Sequence, residues 1–174
     1  MSEVDLNNTF KYDKVVINLN NLNSLTTDAN KTCYYVDLVE PLRNVIYVKI
    51  IRASVIAVET TMEQSPLSYL IYEPIYISIN DYNRAVSYLK TNGNFNNINY
   101  FDLIPYSGTN NSDISYSHSS FDWTDPSVYI LNPPEPNLRR LNIDIRDKTF
   151  KLFDTSVLTN FNLSICIYFI KNRV

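Results

Sequence analysis

Leu138-Arg139-Arg140-Leu141-Asn142-Ile143-Asp144-Ile145-Arg146-Asp147 decides the fold class. Leu141, Ile143 and Ile145 alternate with Asn142, Asp144 and Arg146, a period of two. In an extended strand that period puts the apolar side chains on one face and the polar ones on the other. Phe161 to Ile170 repeats the pattern, with Phe161, Leu163, Ile165, Ile167 and Phe169 on one face. There Cys166, Tyr168 and Ile170 lie between them, so both faces are expected to be covered. Lys14 to Asn20 alternates as well, through Val15, Ile17 and Leu19.

The rest of the chain reads the same way. Thr32 to Val39 is rich in Tyr and Val and is closed by Pro41. Asn44 to Val58 is a long β-branched run, long enough to bend or carry a bulge near Ala53-Ser54. Leu67 to Leu70 and Ile75 to Ile79 form a strand region interrupted at Pro74. Ile98 to Ile104 ends at Pro105, and Ser127 to Leu131 ends at Pro133-Pro134. The one helix candidate is a short segment, Asp81 to Lys90, and the polar stretch Ser107 to Asp125 reads as a surface excursion. No repeat or composition shift marks a boundary, so a single domain over residues 1–174 is expected. The fold expected is all-β: about eight strands in two antiparallel sheets, a single jelly-roll β-sandwich.

Composition narrows the chemistry. Gly93 and Gly108 are the only two glycines among 174 residues, so neither a P-loop nor a dinucleotide fingerprint can be written. With a single histidine, His118, and two cysteines, Cys33 and Cys166, neither a zinc finger nor a disulfide framework is available. Fifteen basic against eighteen acidic residues give a net charge of −3, with no basic run longer than Arg139-Arg140, which argues against nucleic acid as a partner. The longest apolar stretch, Val45 to Val58, is broken by Lys49 and Arg52 and is too short to span a bilayer. The acidic, polar start Met1-Ser-Glu-Val-Asp-Leu-Asn-Asn is unlike a signal peptide, so synthesis in the cytoplasm with reduced thiols is expected. Asn (23), Ile (18) and Tyr (14) together make 55 of 174 residues, and all three have A/T-rich codons, pointing to an A/T-rich genome.

No catalytic constellation distinguishes itself. His118 sits in Ser115-Tyr-Ser-His-Ser-Ser, which has no nucleophile elbow and reads as a surface loop. Asp144 with Asp147, or Asp122 with Asp125, are pairs that any chain with eighteen acids offers by chance. Trp123, in Asp122-Trp-Thr-Asp-Pro126, reads as a loop anchor before a sugar-stacking ring. Cys33 and Cys166 lie inside strands, where free cysteine packs as a small hydrophobe. No catalytic, cofactor-binding or metal-binding residue is nominated, no enzyme activity or cofactor is expected, and no interface residue is singled out.

Two blocks carry a resemblance. Tyr34-Tyr-Val-Asp-Leu-Val-Glu-Pro-Leu-Arg-Asn-Val-Ile-Tyr-Val-Lys-Ile-Ile-Arg-Ala-Ser-Val-Ile56 resembles the strand, Pro-Leu-x-Asn-Val, long-strand opening of minor capsid and penton-type proteins of large DNA viruses (giant viruses) and virophages. Leu138 to Asp147, then Phe150 to Phe153 and Phe161 to Ile167, is similar to their closing part. It departs at Asp147-Lys148, where an Asp-Gly turn is common in such proteins. The resemblance implies a structural component of an icosahedral virus capsid, specifically the penton protein forming homopentamers at the vertices. Its implied partners are copies of itself, the major capsid protein and other minor capsid proteins, and its place is the virion, assembled in the host cytoplasm. Another minor capsid protein, or a jelly-roll module binding carbohydrate or a receptor, is the alternative.

Overall fold

A computed structural model describes residues 12–21, 25–26, 28, 30–58, 74–83, 85–91, 94–110, 113–119, 128–147 and 150–170. The chain is all-β, and its sheets are antiparallel. Thirteen strands form among the described residues, where the sequence leads one to expect about eight in the chain. They are β1 (Tyr12–Asn20), β2 (Leu25–Thr26), β3 (Cys33–Leu42), β4 (Val45–Val58), β5 (Ile75–Ile79), β6 (Ala85–Thr91), β7 (Asn94–Tyr100), β8 (Asp102–Ile104), β9 (Tyr106–Asn110), β10 (Asp113–Ser119), β11 (Val128–Glu135), β12 (Leu138–Arg146) and β13 (Leu158–Ile170). One sheet runs β1-β13-β4-β10-β9, with β11 also on β4; a second runs β2-β3-β12-β5-β8; β6 and β7 form a separate hairpin.

The pairing is nested. β1 pairs with β13, β3 with β12, β4 with β10 and β11, and β5 with β8, so early strands meet late ones. The buried faces of both large sheets join one core. Leu141, Ile143 and Ile145 from one sheet, and Phe161, Leu163, Ile165 and Ile167 from the other, are each at most 1% exposed, as their period of two requires. Tyr34 on β3 touches Phe161 on β13 at 4.5 Å between ring centroids, joining the two layers. Thr32, wholly buried, is satisfied: its hydroxyl donates to the Ile145 carbonyl (2.6 Å) and its N–H to that of Phe153 (3.1 Å).

β4 is where the expected bulge is found, displaced from its expected place. Ser164 pairs with Arg52 and Ile165 with Ile50, which leaves Ile51 as the extra residue; likewise Ile46 is extra between Tyr47 and Val45. Ala53 and Ser54 stay in register with both neighbours. The core-facing residues of β4 are Val45, Val48, Ile50, Ala53, Val55 and Ala57, and the two steps of three among them coincide with these two bulges. A strand with strict alternation would have turned Val48 and Ile50 outward.

Three further sequence expectations are corrected. Asp81 to Lys90 is not helical: Asn80 and Asp81 form a turn, and Ala85 to Thr91 is strand β6, paired with β7 from Ala85↔Tyr100 to Thr91↔Asn94. The dipeptide between those last partners is Asn92-Gly93, the strongest short hairpin signal in the sequence. Ser107 to Asp125 is not wholly a surface excursion either, because β10 lies between β4 and β9 and buries Ile114 and Tyr116. Its serines hide an alternation of Ile114, Tyr116 and His118 that sets one face inward. Pro41, and Pro133 with Pro134, fall inside β3 and β11 and do not end them; the cis bond Asn132–Pro133 and Pro134 lie in a stretch of β11 that the ladder to β4 skips. The strand expected at Leu67–Leu70 and the loop Asp122–Pro126, with Trp123, lie outside the described residues. No helix among the described residues is long and apolar enough to cross a membrane.

The bulge at Ile51 has a direct test. Deleting Ile51 leaves Val48, Ile50, Ala53 and Val55 on the core face of a regular strand, whereas deleting Ser54 drives Arg52 toward the place of Ala53. The Ile51 deletion is expected to cost about 1–2 kcal/mol in urea unfolding, and the Ser54 deletion several kcal/mol, enough to remove the native state. Equal damage from both would place the bulge elsewhere.

Burial also sets an alkaline limit. It pushes the phenols of Tyr34, Tyr82 and Tyr116 up, that of Tyr116 from 10.0 to about 12. The folded chain therefore holds protons that the unfolded chain releases, so this contribution to stability is whole below pH 10 and is lost as pH rises toward about 12. Tyr116→Phe is expected to unfold at higher pH than the parent, followed by tyrosinate absorbance together with circular dichroism.

Candidate functional site

Of the residues weighed for chemistry in the sequence, His118, Asp144, Asp147, Cys33 and Cys166 are described. His118 is on β10 and not in a surface loop; it faces the same side as Ile114 and Tyr116, half-buried, and its Nε2 is shut away from solvent without a hydrogen-bond partner among the described residues. Asp144 is held by the Arg146 guanidinium. Asp147 closes the following turn, its carboxylate accepting the Lys151 N–H (3.0 Å) and its carbonyl the Phe150 N–H (2.9 Å). Phe150 takes the left-handed conformation (φ 64°) there, and its ring packs on Tyr76 at 4.3 Å. Aromatic packing there offsets the backbone strain of a non-glycine residue. Cys33 and Cys166 are both free thiols, half-buried and buried. Among the described residues no three His, Cys, Asp or Glu side chains gather as a metal site would need.

A polar concavity among the described residues lies elsewhere, where the turn after β5, the β3–β4 turn and the β11–β12 turn converge. Two adjoining hollows, of about 590 and about 520 Å³, share Asn137 and Arg139. Asn80 shapes one wall. With φ 46°, it donates its N–H to the Asn142 carbonyl (2.9 Å), and its carboxamide oxygen accepts the Asn142 N–H (2.7 Å). One side chain thus extends the β5–β12 ladder by a residue pair, and its Nδ2 reaches the Arg140 carbonyl at 3.4 Å. Tyr82 stacks on Tyr129 at 5.2 Å between centroids, which fixes the turn against the core.

Arg140 stands at the rim. Its Nε and Nη2 donate to the two carboxylate oxygens of Asp37 (2.7 and 3.1 Å), and its guanidinium lies 4.4 Å from the Tyr35 ring centroid. The pair holds the Asp37 carboxyl below its usual range, mainly through the hydrogen bond. Asn137, oriented to accept, receives Arg139 Nε at 3.0 Å and Nη2 at 3.2 Å. Across the same hollow Arg43 projects from the β3–β4 turn. Guanidinium and carboxamide groups of this kind hold oxyanions and hydroxyls; they have no proton to exchange at neutral pH.

Sequence reading missed this place because its parts are far apart in the chain. The available signal was Asn132-Pro-Pro-Glu-Pro-Asn137, a turn marker separated by Leu138 alone from Arg139-Arg140. Comparison with protein-family models and with curated proteins finds no match to the chain.

Asn80 supplies the test of this geometry. Asn80→Gly keeps the left-handed backbone and loses the side-chain bonds, while Asn80→Ala loses both. Thermal unfolding is expected to rank Asn above Gly above Ala, each step about 1 kcal/mol. Alanine equal to asparagine would remove Asn80 from its role as a clamp.

Proposed function

We propose that the chain is a jelly-roll structural component of an icosahedral virus capsid, and within it the penton protein that closes the vertices as a homopentamer. The nested pairing carries this reading. A chain whose early strands each pair with a late one, β1 with β13, β3 with β12, β4 with β10 and β5 with β8, is one long hairpin. Rolled up, such a hairpin makes two interleaved Greek keys, the arrangement used by capsid and lectin jelly rolls. Eight of the thirteen strands make up this frame, and the others are added at its edges and loops. The two blocks that resemble capsid proteins fall on β3 with β4 and on β12 with β13, central strands of the two sheets.

The function is then geometric. The sheet of β1, β13, β4 and β10 turns outward a face that is divided in two. Asn18, Ser164, Asn162, Ser54 and Ser117 with Arg52 make one half polar, and Val16 and Ile130, 43% and 64% exposed, lie with Lys14 near Tyr47 and Tyr168 in the other. Amphipathic rings beside short polar groups suit an interface that must exclude water and still keep register. Identical wedges that meet through unlike surfaces close into a ring, and a fivefold vertex is such a ring.

Mass spectrometry of particles of the virus that encodes the chain, joined to a map of the particle, tests the reading. The protein is expected in the particle with its density at the fivefold axes, and as a monomer or weak oligomer when isolated, since a shell gains strength from many simultaneous contacts. Density under the facets would make it another minor capsid protein. Absence from the particle, or a stable twofold dimer, would overturn the proposal.

A further inference from the structure

We infer that the end of the molecule formed by the β3–β4 and β11–β12 turns is a docking site for an extended acidic peptide segment of a partner protein. The site is assigned from its own geometry and does not depend on the capsid reading.

β3 and β12 pair as Arg140↔Asp37 and then as Leu138↔Leu42, so residues 38–41 of β3 stand opposite Arg139 alone. The surplus backbone is pushed out of the sheet. Leu38 still packs on the core, whereas Val39 is fully exposed, more so than any other large apolar side chain among the described residues. A valine presented in this way at the tip of a bulge loses the apolar burial that would ordinarily stabilise a strand position. Pro41 and Pro136, on the two sides of the hollow, have no N–H to offer and only fixed backbone angles, so the floor is stiff and apolar. The Asn44 N–H reaches the Pro136 carbonyl at 3.5 Å, which ties the two turns together.

Charge identifies the occupant. Lys31, Arg140 and Arg146 are each paired with an aspartate of the same chain. Arg43 and Arg139 line one hollow, and neither is paired with a described carboxylate. The chain has more acids than bases, eighteen against fifteen, and yet these two guanidinium groups have no carboxylate ion-paired to them among the described residues. Arg139 is already oriented by Asn137, so little side-chain freedom is left to lose when a carboxylate arrives. A guanidinium fork takes a carboxylate or a phosphate in the same bidentate way. One feature favours the peptide over a bare phosphate: Val39, fully exposed and next in sequence to Glu40 on the rim, offers an apolar contact that a peptide side chain beside the acid can use and phosphate cannot.

The probe is a synthetic octapeptide alternating Glu and Leu, compared with its Gln and Leu counterpart, with inorganic phosphate and with a glycan array, each added to the full chain. Nuclear magnetic resonance reads the Val39 methyl and the Arg43 and Arg139 Nε–H signals. The acidic peptide is expected to shift all three, to bind more weakly as salt rises, and to bind at least tenfold more weakly to the Arg43→Ala/Arg139→Ala variant. Val39→Ser is expected to weaken it several-fold. Arg43→Lys/Arg139→Lys, which keeps the charge and loses the fork, should fall between parent and double alanine. These side chains are exposed, so an unchanged urea midpoint in each variant separates lost binding from lost folding. Equal binding of the Gln peptide, equal binding of phosphate with the same dependence on the arginines, or binding of a glycan alone would overturn the inference.

Discussion

Everything in the larger sheet depends on the ladder between β4 and β13. β13 holds β1 on its outer edge, and β4 holds β10 along one half of its free edge and β11 along the other. The ladder is long and is not regular: Ile46 and Ile51 bulge from β4, and Thr159 from β13. Those extra residues reconcile an apolar pattern that is not strictly alternating with a core that needs one face filled. Val45, Val48 and Ile50 then face Ile165 and Ile167 on the same inner side, and every other strand of the sheet inherits its orientation from that choice.

The nesting of strands has an energetic consequence. Pairs such as Val15↔Ile167 join the two ends of the chain, so the loop-closure entropy is lost before most of the core can form. Sheets with so many distant partners fold slowly and as a unit. The scarcity of glycine adds a second constraint, because tight reversals need left-handed residues. Asparagine takes that part: Asn44 and Asn80 adopt φ of 53° and 46°, and Gly108 is the one glycine with positive φ among the described residues. Asparagine tolerates this region because its short carboxamide can bond the local backbone, as Asn80 does with Asn142. A composition of 23 asparagines and two glycines is therefore compatible with sharp turns.

How much of this was legible follows from where each signal resides. Leu141 to Ile145 and Phe161 to Ile167 could be read directly, since a half-buried strand writes its burial as a period of two. β10 was hidden because serine dominates its composition while Ile114, Tyr116 and His118 hold its pattern. Asp81 to Lys90 misled because local propensity was weighed without its partner, Asn94 to Tyr100. Bulge positions are a property of two strands together, so neither Ile46 nor Ile51 announces itself alone. The groove was invisible for the same reason: Arg43 and Arg139 become neighbours only after β3 and β12 are paired with four residues against one. What the chain binds was not written in a motif.

Hydrogen exchange of the folded chain reports most directly on the primacy of the β4–β13 ladder. Amides of Val48, Ile50, Ile165 and Ile167 are expected to exchange slowest, and only through global unfolding, with the edge strands β1, β2 and β9 opening first. Exchange of β13 as fast as β1, or protection centred on the β6–β7 hairpin, would contradict it.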